Sequence, residues 1–282
     1  MMRLMVTGAA GQLGSTVVER LSGRYEIVPF TRHELDIADE RAVLERMAAI
    51  SPWAVINCAA YNDVDGAESD AMSAIKGNAL GVRALARASS AVGATLVHYS
   101  TDFVFDGEAE RPYSEDDPAR PLGNYGLSKL LGEYFALEVP SAYVLRVESL
   151  FGGKRAKSSV DKILAGIRAG QPVRVFADRT VSPSYVDDVV EATDKLLVSR
   201  AAPGLYHCVN DGSGTWLDIA VELTRLLGRE ADIVSVSVND VKLTAKRPRY
   251  CALANDKLRM ASIEMPTWQD ALRRYVLVTQ DV

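Results

Sequence analysis

The feature that most constrains the fold is a regular alternation of short apolar segments and helical patterns across the first 150 residues. The apolar segments are rich in Val and Ile, as strands are, and the stretches between them have the hydrophobic spacing of helices. Parallel strands need a crossover connection, usually a helix, so the alternation predicts a parallel sheet covered on both faces. The predicted strands are Leu4–Val6, Glu26–Phe30, Ala54–Asn57, Thr95–Ser100 and Ala142–Val147, and the predicted helices are Leu13–Leu21, Glu40–Ala49, Ala71–Ala91 and Ser128–Leu137.

A glycine-rich loop follows the first predicted strand. The stretch VTGAAGQLG, residues 6–14, places Gly8, Gly11 and Gly14 three residues apart where the first helix opens. Glycines at this point allow a tight turn and let backbone N–H groups approach a pyrophosphate at the positive end of the helix. The loop therefore predicts a dinucleotide-binding site, although similar loops also serve strand-to-helix packing alone.

The end of the second strand bears on the choice of dinucleotide. An acidic residue there would hold the ribose hydroxyls of NAD, whereas a basic residue accommodates the phosphate of NADP. Counting from the glycines reaches Arg32, Glu34 and Asp36, so counting alone does not decide. The residues directly after the strand are Thr31 and Arg32, and a hydroxyl with a guanidinium suits a phosphate monoester. NADP(H) is favoured, and NAD(H) stays open.

Beyond residue 150 the pattern is less regular. We predict a Rossmann-like, doubly wound α/β fold with a smaller C-terminal α/β lobe. Residues 1–150, with returns from about 173–200, would form the NADP-binding domain, and residues 151–282 would mainly form the substrate-binding lobe. The further predicted helices are Ser159–Ala169, Tyr185–Ser199, Trp216–Leu227 and Trp268–Tyr275, and the further strands are Val173–Phe176, Gly204–Val209 and Ile233–Val238.

Composition narrows the possible partners. The chain has 282 residues, is 48% hydrophobic and carries a net charge of −5, so it can bury a large core. Nucleic acids and anionic membranes require a basic surface, and we expect neither as a partner. The three cysteines are scattered without a CxxC pair, which indicates reduced thiols in a cytoplasmic protein. The three histidines have no metal-ligand spacing, so we predict no metal site.

Two further stretches carry polar groups suited to chemistry. NYGLSK, residues 124–129, separates Tyr125 and Lys129 by one helical turn, so both side chains would share a face. HYSTDFVFDG, residues 98–107, places Thr101 and Asp102 at the end of the fourth strand, where ligands bind in such sheets. Alone, the first is more often an exposed turn and the second a helix cap. Together with the glycine loop they indicate one active site.

The combination of motifs resembles the extended short-chain dehydrogenase/reductase superfamily, and within it the dTDP-4-dehydrorhamnose reductase family. The motifs are TGAAGQLG, NCAAYNDVDGAE, STDFVFDG, NYGLSKLLGE, DRTVSPSYVDDV, GLYHCVNDGSGTW and RPRYCALANDKL, which span nearly the whole chain. The resemblance implies an NADPH-dependent oxidoreductase that reduces the 4-keto group of a nucleotide-linked 6-deoxy sugar, dTDP-4-dehydro-L-rhamnose above all. It leaves open a monomer or a homodimer.

The resemblance also implies roles for individual residues. Tyr125 would donate a proton to the substrate carbonyl, Lys129 would lower the pKa of Tyr125 and hold the nicotinamide ribose, and Thr101 would bond the developing alkoxide. Asn78 would support the backbone of the active site. Trp216 is equally consistent with a core position. Implied cofactor contacts are Gly8, Gly11, Gln12, Leu13, Gly14, Arg32, Asp36, Ile37, Ala59, Ala60, Tyr125 and Lys129, and implied substrate contacts are Asp102, Trp216 and Arg247.

Two departures from the family pattern fall in the substrate half. Where the family usually has Arg-Thr-Ser-Trp, this chain has Arg146-Val147-Glu148-Ser149, which replaces an aromatic residue and adds a carboxylate. After Gly152 and Gly153 it has KRAKSSV in place of Asn-Asn-Phe. Both departures leave the cofactor and the chemistry unaffected, but they put the identity of the sugar in question.

Related functions remain as alternatives. A sugar-nucleotide dehydratase usually has Glu after Thr-Asp, whereas this chain has Phe103. Epimerases and dehydratases usually carry an aromatic residue and Ile at the positions of Gln12 and Leu13, and an acidic NAD-binding residue where Thr31-Arg32 stands. A non-catalytic NADP-binding subunit, such as the regulatory subunit of methionine adenosyltransferase, has the same fold. An intact set of Thr101, Tyr125 and Lys129 favours catalysis.

Overall fold

A six-stranded parallel sheet forms the centre of the molecule, as the alternation predicts. The computed structural model describes residues 1–155, 157–199 and 201–280. The strands are β1 (Arg3–Thr7), β2 (Glu26–Phe30), β3 (Ala54–Asn57), β4 (Thr95–Thr101), β5 (Tyr143–Val147), β6 (Leu150–Phe151), β7 (Val173–Phe176), β8 (Thr180–Val181), β9 (Ser184–Tyr185), β10 (Gly204–His207), β11 (Gly214–Thr215) and β12 (Ile233–Val236). Their order in the sheet is β10-β5-β4-β3-β1-β2, so β1 lies inside and the chain winds outward in both directions.

Helices cover both faces of this sheet, and apolar side chains fill the space between. The helices are α1 (Gln12–Leu21), α2 (Glu40–Ile50), α3 (Gly66–Ser69), α4 (Ala71–Ile75), α5 (Gly81–Val92), α6 (Asn124–Leu137), α7 (Ser159–Arg168), α8 (Val186–Val198), α9 (Trp216–Leu227), α10 (Asp256–Met260) and α11 (Trp268–Gln280). Within the described residues, no helix is long and apolar enough to cross a membrane.

Helix α6 begins four residues before its predicted start at Ser128. The backbone N–H of Asn124 donates to Glu68 Oε1 at 2.8 Å, and the Asn124 side chain reaches the other oxygen of the same carboxylate. A carboxylate at this position accepts from an otherwise unpaired backbone amide, and its negative charge interacts favourably with the positive end of the helix dipole. Because of the earlier start, Tyr125 and Lys129 both lie within α6, one turn apart.

The predicted helix Ala71–Ala91 is helical throughout, but it is not a single regular α-helix. Between α4 and α5 it contains a π-helical turn, Lys76–Leu80, which short apolar periodicity does not reveal. Asn78 explains its position, since its side chain accepts from the Tyr61 N–H at 2.8 Å and donates to the Tyr61 carbonyl at 3.0 Å. It also donates to Ser128 Oγ at 3.0 Å. The π-helical turn therefore connects the loop that follows β3 to α6. The supporting role of Asn78 in the active site stays a prediction.

The second half returns to the main sheet through β10, which pairs with β5, and through α8, which packs on α1. Strand β7 pairs with β12 in a separate two-stranded sheet. The pairs β6–β9 and β8–β11 are too short to show a period in sequence. The proposed division at residue 150 stays a prediction. Of the departing segment KRAKSSV, Ala156 lies outside the described residues.

Candidate active site

The glycine loop forms the floor of a cleft at the carboxyl ends of β1 and β2. Gly8 has a φ of +65°, and a Cβ at this position would lie 2.5 Å from the Ala59 backbone nitrogen. A Cβ on Gly14 would lie 2.2 Å from the Gly8 carbonyl oxygen. Both positions exclude larger residues, so the loop is held close to β3 and α1. The amide-lined loop at a helix N-terminus fits a pyrophosphate.

The cleft above this loop has a volume of about 430 Å³. Arg32 extends from its rim and makes no ion pair with any described residue, whereas the Thr31 hydroxyl donates to Glu34 Oε2 at 2.8 Å. Two further cations line the cleft, Lys76 and Arg155, and the sequence analysis assigned a cofactor contact to neither of them. The cofactor residues predicted from sequence that line the cleft are Gly8, Gly11, Arg32, Asp36, Ile37, Ala59 and Ala60.

Three other predicted cofactor residues support the loop from behind. Gln12 Nε2 donates to the Gly152 carbonyl at 2.8 Å, which ties the first helix to the loop after β6. Leu13 is buried in the main core, and Gly14 packs beneath Gly8. These residues shape the cleft from outside its lining.

Lys129 lies at the inner side of the site, buried between α6 and β4. Its ammonium donates to the Tyr99 carbonyl at 2.5 Å. Burial lowers the pKa of Lys129 from 10.5 to about 8, and the charges of Glu133 and Cys58 oppose that shift. Cys58 lines the cofactor cleft, so Lys129 stands where the cleft meets the end of β4.

Tyr125 lies on the same face of α6, with its ring packed among small and aromatic side chains. Phe103 meets it edge-on with ring centroids 5.6 Å apart. Burial raises the pKa of Tyr125, the negative charge of Asp102 adds to the rise, and the Thr101 hydroxyl opposes it. The family resemblance implied that Lys129 lowers the pKa of Tyr125, whereas here the pKa of Tyr125 is raised. Burial is the largest cause, and the Lys129 ammonium is directed at the Tyr99 carbonyl.

Below Thr101, the last residue of β4, lies a buried cluster of charged groups. The Thr101 hydroxyl donates to Asp102 Oδ1 at 2.8 Å, and Asp102 Oδ2 lies 4.0 Å from Arg179 Nη2. Glu148 Oε2 accepts from the Ser182 N–H at 2.6 Å. The other oxygen of each carboxyl, Asp102 Oδ2 and Glu148 Oε1, is buried without a hydrogen-bond partner. Burial raises the pKa of both carboxyl groups, and Arg179 opposes the rise.

The strand end and α6 are joined by a second buried network. Arg146 binds Glu133 through two hydrogen bonds, from Nε to Oε1 at 2.8 Å and from Nη2 to Oε2 at 2.7 Å. The Ser100 hydroxyl donates to the same Glu133 Oε1 at 2.5 Å. Sequence reasoning missed Glu133, although its position four residues after Lys129 places it on the same helical face.

The fold brings two of the three predicted substrate residues, Asp102 and Arg247, near Tyr125, and it places the third, Trp216, in the main core. Arg247 is near Tyr125, since its guanidinium lies 5.7 Å from the centre of the Phe103 ring and donates to Asp65 Oδ2 at 2.8 Å. Trp216 is buried in the main core at the start of α9, which favours the core position of its two interpretations. Ser149, where the family has an aromatic residue, has a φ of +45° and is half-buried.

Comparisons with known proteins cover nearly the whole chain. A family model described as the RmlD substrate binding domain matches residues 2–280. A probable dTDP-4,6-dihydroxy-2-methyloxan-3-one 4-ketoreductase of Streptomyces antibioticus is 37% identical, covering 96% of this chain and 94% of the relative. A dTDP-4-dehydrorhamnose reductase of Streptomyces griseus is 36% identical, covering 96% and 91%. The crystal structure of dTDP-4-dehydrorhamnose reductase from Bacillus anthracis in complex with NADP superposes with a TM-score of 0.94 at 34% identity, covering 98% of this chain and 99% of that one.

Proposed function

This chain belongs to the dTDP-4-dehydrorhamnose reductase family, and from that membership we infer that it is an NADP(H)-dependent oxidoreductase acting on a dTDP-linked 4-keto sugar. The reaction is reduction of the 4-keto group of a 6-deoxy sugar, and the preferred substrate is dTDP-4-dehydro-L-rhamnose, which would give dTDP-L-rhamnose. The observation that carries the proposal is that Tyr125 and Lys129 lie one turn apart on α6, with Thr101 at the end of β4. The Lys129 charge acts on Cys58, which lines the glycine-rich cleft.

The cofactor cleft fits NADP(H) by shape and by charge. Bound NADPH would supply the hydride that reduces the carbonyl carbon. The glycine loop leaves space for the pyrophosphate that a Cβ would fill, and Arg32 extends from the rim at the end of β2. Lys76 and Arg155 add positive charge to the same cleft, which suits a cofactor with an extra phosphate.

In this proposal the residues of the chain divide the work of proton transfer. Tyr125 holds the proton that passes to the carbonyl oxygen when the hydride reaches the carbon. Lys129, fixed by the Tyr99 carbonyl, would hold the nicotinamide ribose of the bound cofactor. Thr101 orients the oxygen of the substrate from the end of β4.

The identity of the sugar and the setting of the enzyme are less constrained. The names of the relatives include a reductase for a different keto sugar, and Glu148 and Ser149 depart from the family pattern in the substrate half. We expect a cytoplasmic enzyme, in which the free thiols of Cys58, Cys208 and Cys251 stay reduced. A monomer and a homodimer are both compatible with the site, which is built from a single chain.

The first test is an absorbance assay for NADPH consumption. The substrate is generated in the cuvette by a separate dehydratase and epimerase, and a parallel reaction uses NADH. Oxidation that requires both this protein and the sugar supports the proposal, and other dTDP-linked 4-keto sugars then rank the substrates. If NADPH binds but stays reduced with every sugar, the enzymatic proposal is wrong.

Replacement of Tyr125 by Phe tests the assigned proton donor. The change removes the transferable proton but keeps the buried ring, so turnover should fall by more than about a hundredfold while NADPH binding persists. Tyr134→Phe is the matched control, because Tyr134 lies on the same helix but is exposed. Turnover by Tyr125→Phe close to that of the control would exclude Tyr125 as the proton donor.

A further inference from the structure

The cluster below Thr101 carries an unbalanced charge if every group has its usual ionisation. Asp102 and Glu148 would each be negative, and Arg179 is the cation beside them. All three are almost fully buried. A net charge in such a site is strongly unfavourable, because a buried ion without a counter-charge loses its hydration. A single proton held by one of the two carboxyl groups would make the cluster neutral.

The existing hydrogen bonds restrict the oxygens on which that proton could lie. Asp102 Oδ1 is used by Thr101 and Glu148 Oε2 by Ser182, which leaves Asp102 Oδ2 and Glu148 Oε1 without partners. The two carboxyl groups and Cys251 place one ligand atom each within 4.8 Å of the others. The proton therefore has two oxygens available that lack hydrogen-bond partners, and both are buried.

A metal ion is a poorer explanation for the same cluster. Asp102, Glu148 and Cys251 have suitable ligand atoms. However, Arg179 Nη2 lies 3.7 Å from the Cys251 sulfur as well as 4.0 Å from the Asp102 carboxylate. The guanidinium already occupies the cationic position, and it would repel a metal ion.

We propose that Asp102 and Glu148 hold one proton between them, and that Glu148 is thereby a positioning residue that keeps a second negative charge away from Thr101 and Tyr125. Within the pair Glu148 carries the proton and keeps its bond to Ser182, and Asp102 stays ionised as the acceptor of the Thr101 hydroxyl. Loss of the proton would add a negative charge on the Asp102 side of Tyr125, where such a charge raises the pKa of the phenol and weakens it as an acid. The groups that face the pair from the surrounding segments are Thr101, Tyr125, Arg179, Tyr250 and Cys251.

Infrared spectroscopy of the protein without cofactor or substrate reads the proton directly. A protonated carboxyl group has a carbonyl stretch that a carboxylate lacks. All spectra are recorded in a Glu115→Gln background, which removes another buried glutamate whose pKa is raised by burial. We expect an acid band at neutral pH that shifts on carbon-13 labelling of glutamate.

Two variants separate a shared proton from simple burial. Glu148→Gln should lose the band, and Asp102→Asn should lose it too, because the remaining Glu148 carboxylate is then balanced by Arg179. Persistence of the band in Asp102→Asn would overturn the shared proton. If either variant does not fold, the labelled Glu115→Gln protein still decides, since an acid band that does not shift on glutamate labelling excludes protonated Glu148.

The positioning role rests on the proposed function and has its own readout. The pH profile of kcat should decline less steeply at alkaline pH in Glu148→Gln than in the unmodified enzyme, and Glu115→Gln should follow the unmodified enzyme. Superimposable profiles would exclude the positioning role. An enzyme that showed the band but no turnover would disprove the reductase proposal and leave the shared proton standing.

Discussion

Two arginine–glutamate pairs in this molecule have the same geometry in opposite environments. In each, Nε donates at 2.8 Å and Nη2 at 2.7 Å to the two oxygens of one carboxylate. Arg146–Glu133 joins β5 to α6, with side chains 4% and 2% exposed. Glu222–Arg225 lies on α9, where the Arg225 side chain is 67% exposed and the Glu222 side chain 15%. Contact distances therefore cannot rank these pairs, and their surroundings must.

The two pairs differ in how far water solvates their charges. Around Arg225 water solvates the guanidinium whether or not the pair forms, and the Glu222 carboxylate keeps partial contact with water, so the pair adds little to stability. Burial keeps water away from Arg146 and Glu133, so each charge depends on the other. Ser100 adds a hydrogen bond to Glu133, and the Arg146 guanidinium packs on the Phe105 ring. The active site contains the same contrast, since Arg32 is exposed at the rim of the cleft and Arg179 is buried beneath Thr101.

The largest effect is expected from breaking the buried pair. Arg146→Met leaves the Glu133 carboxylate and the Ser100 hydroxyl in an apolar interior without their cation. The free energy of unfolding should fall by about 3–5 kcal/mol, measured by denaturant titration. Turnover should fall as well, because Glu133 and Lys129 occupy successive turns of α6.

A double variant distinguishes a lost partner from a lost ion pair. Arg146→Met with Glu133→Leu removes both charges and keeps most of the volume, so it should be more stable than Arg146→Met alone. If the double variant were as unstable as the single one, the loss would come from packing, and the contrast between the two pairs would lose its electrostatic basis.

A buried cation without a carboxylate partner gives the next effect, and it depends on pH. Lys129 has no carboxylate at ion-pair distance among the described residues, and burial lowers its pKa from 10.5 to about 8. Below about pH 8 both folded and unfolded chains carry its proton, and folding bears the full cost of burial. Between about 8 and 10.5 only the unfolded chain binds that proton, so stability rises with pH by about 3 kcal/mol from this group.

The contribution of Lys129 is isolated by subtraction. The free energy of unfolding is measured across the same range for the unmodified protein and for Lys129→Met, in which the other titrating groups remain. We expect the difference between the two proteins to change by about 3 kcal/mol, with the unmodified protein gaining stability as the pH rises. A difference that stays constant would mean that the Lys129 ammonium is not destabilised by burial.

Features of the fold that depend on residues close together in the sequence could be predicted. The main strands, the glycine loop and the one-turn spacing of Tyr125 and Lys129 are local patterns, and the structure contains each of them. The parallel sheet followed from the alternation of strands and helices alone. The start of α6 was misplaced because its cap, Glu68, comes from a segment 56 residues away.

The buried charge cluster illustrates what a sequence does not reveal. Asp102, Glu148, Arg179 and Cys251 lie on four separate segments, and no spacing relates them. Glu148 was recognisable as a departure from the family pattern, but its proximity to Asp102 depends on how β4, β5 and β8 meet. The π-helical turn was missed for the same reason, because the Tyr61 backbone that Asn78 binds is 17 residues away in sequence.

The smallest effect is expected at the exposed pair, and it completes the comparison. Arg225→Met removes the cation that binds Glu222, but the Glu222 carboxylate is 15% exposed and stays in contact with water. Met is also a good helix former, so the helix itself loses little. The loss of stability should be roughly a tenth of that caused by Arg146→Met or less, in the same denaturant titration. A loss comparable to that of Arg146→Met would show that the shared geometry, and not the exclusion of water, sets the strength of these pairs.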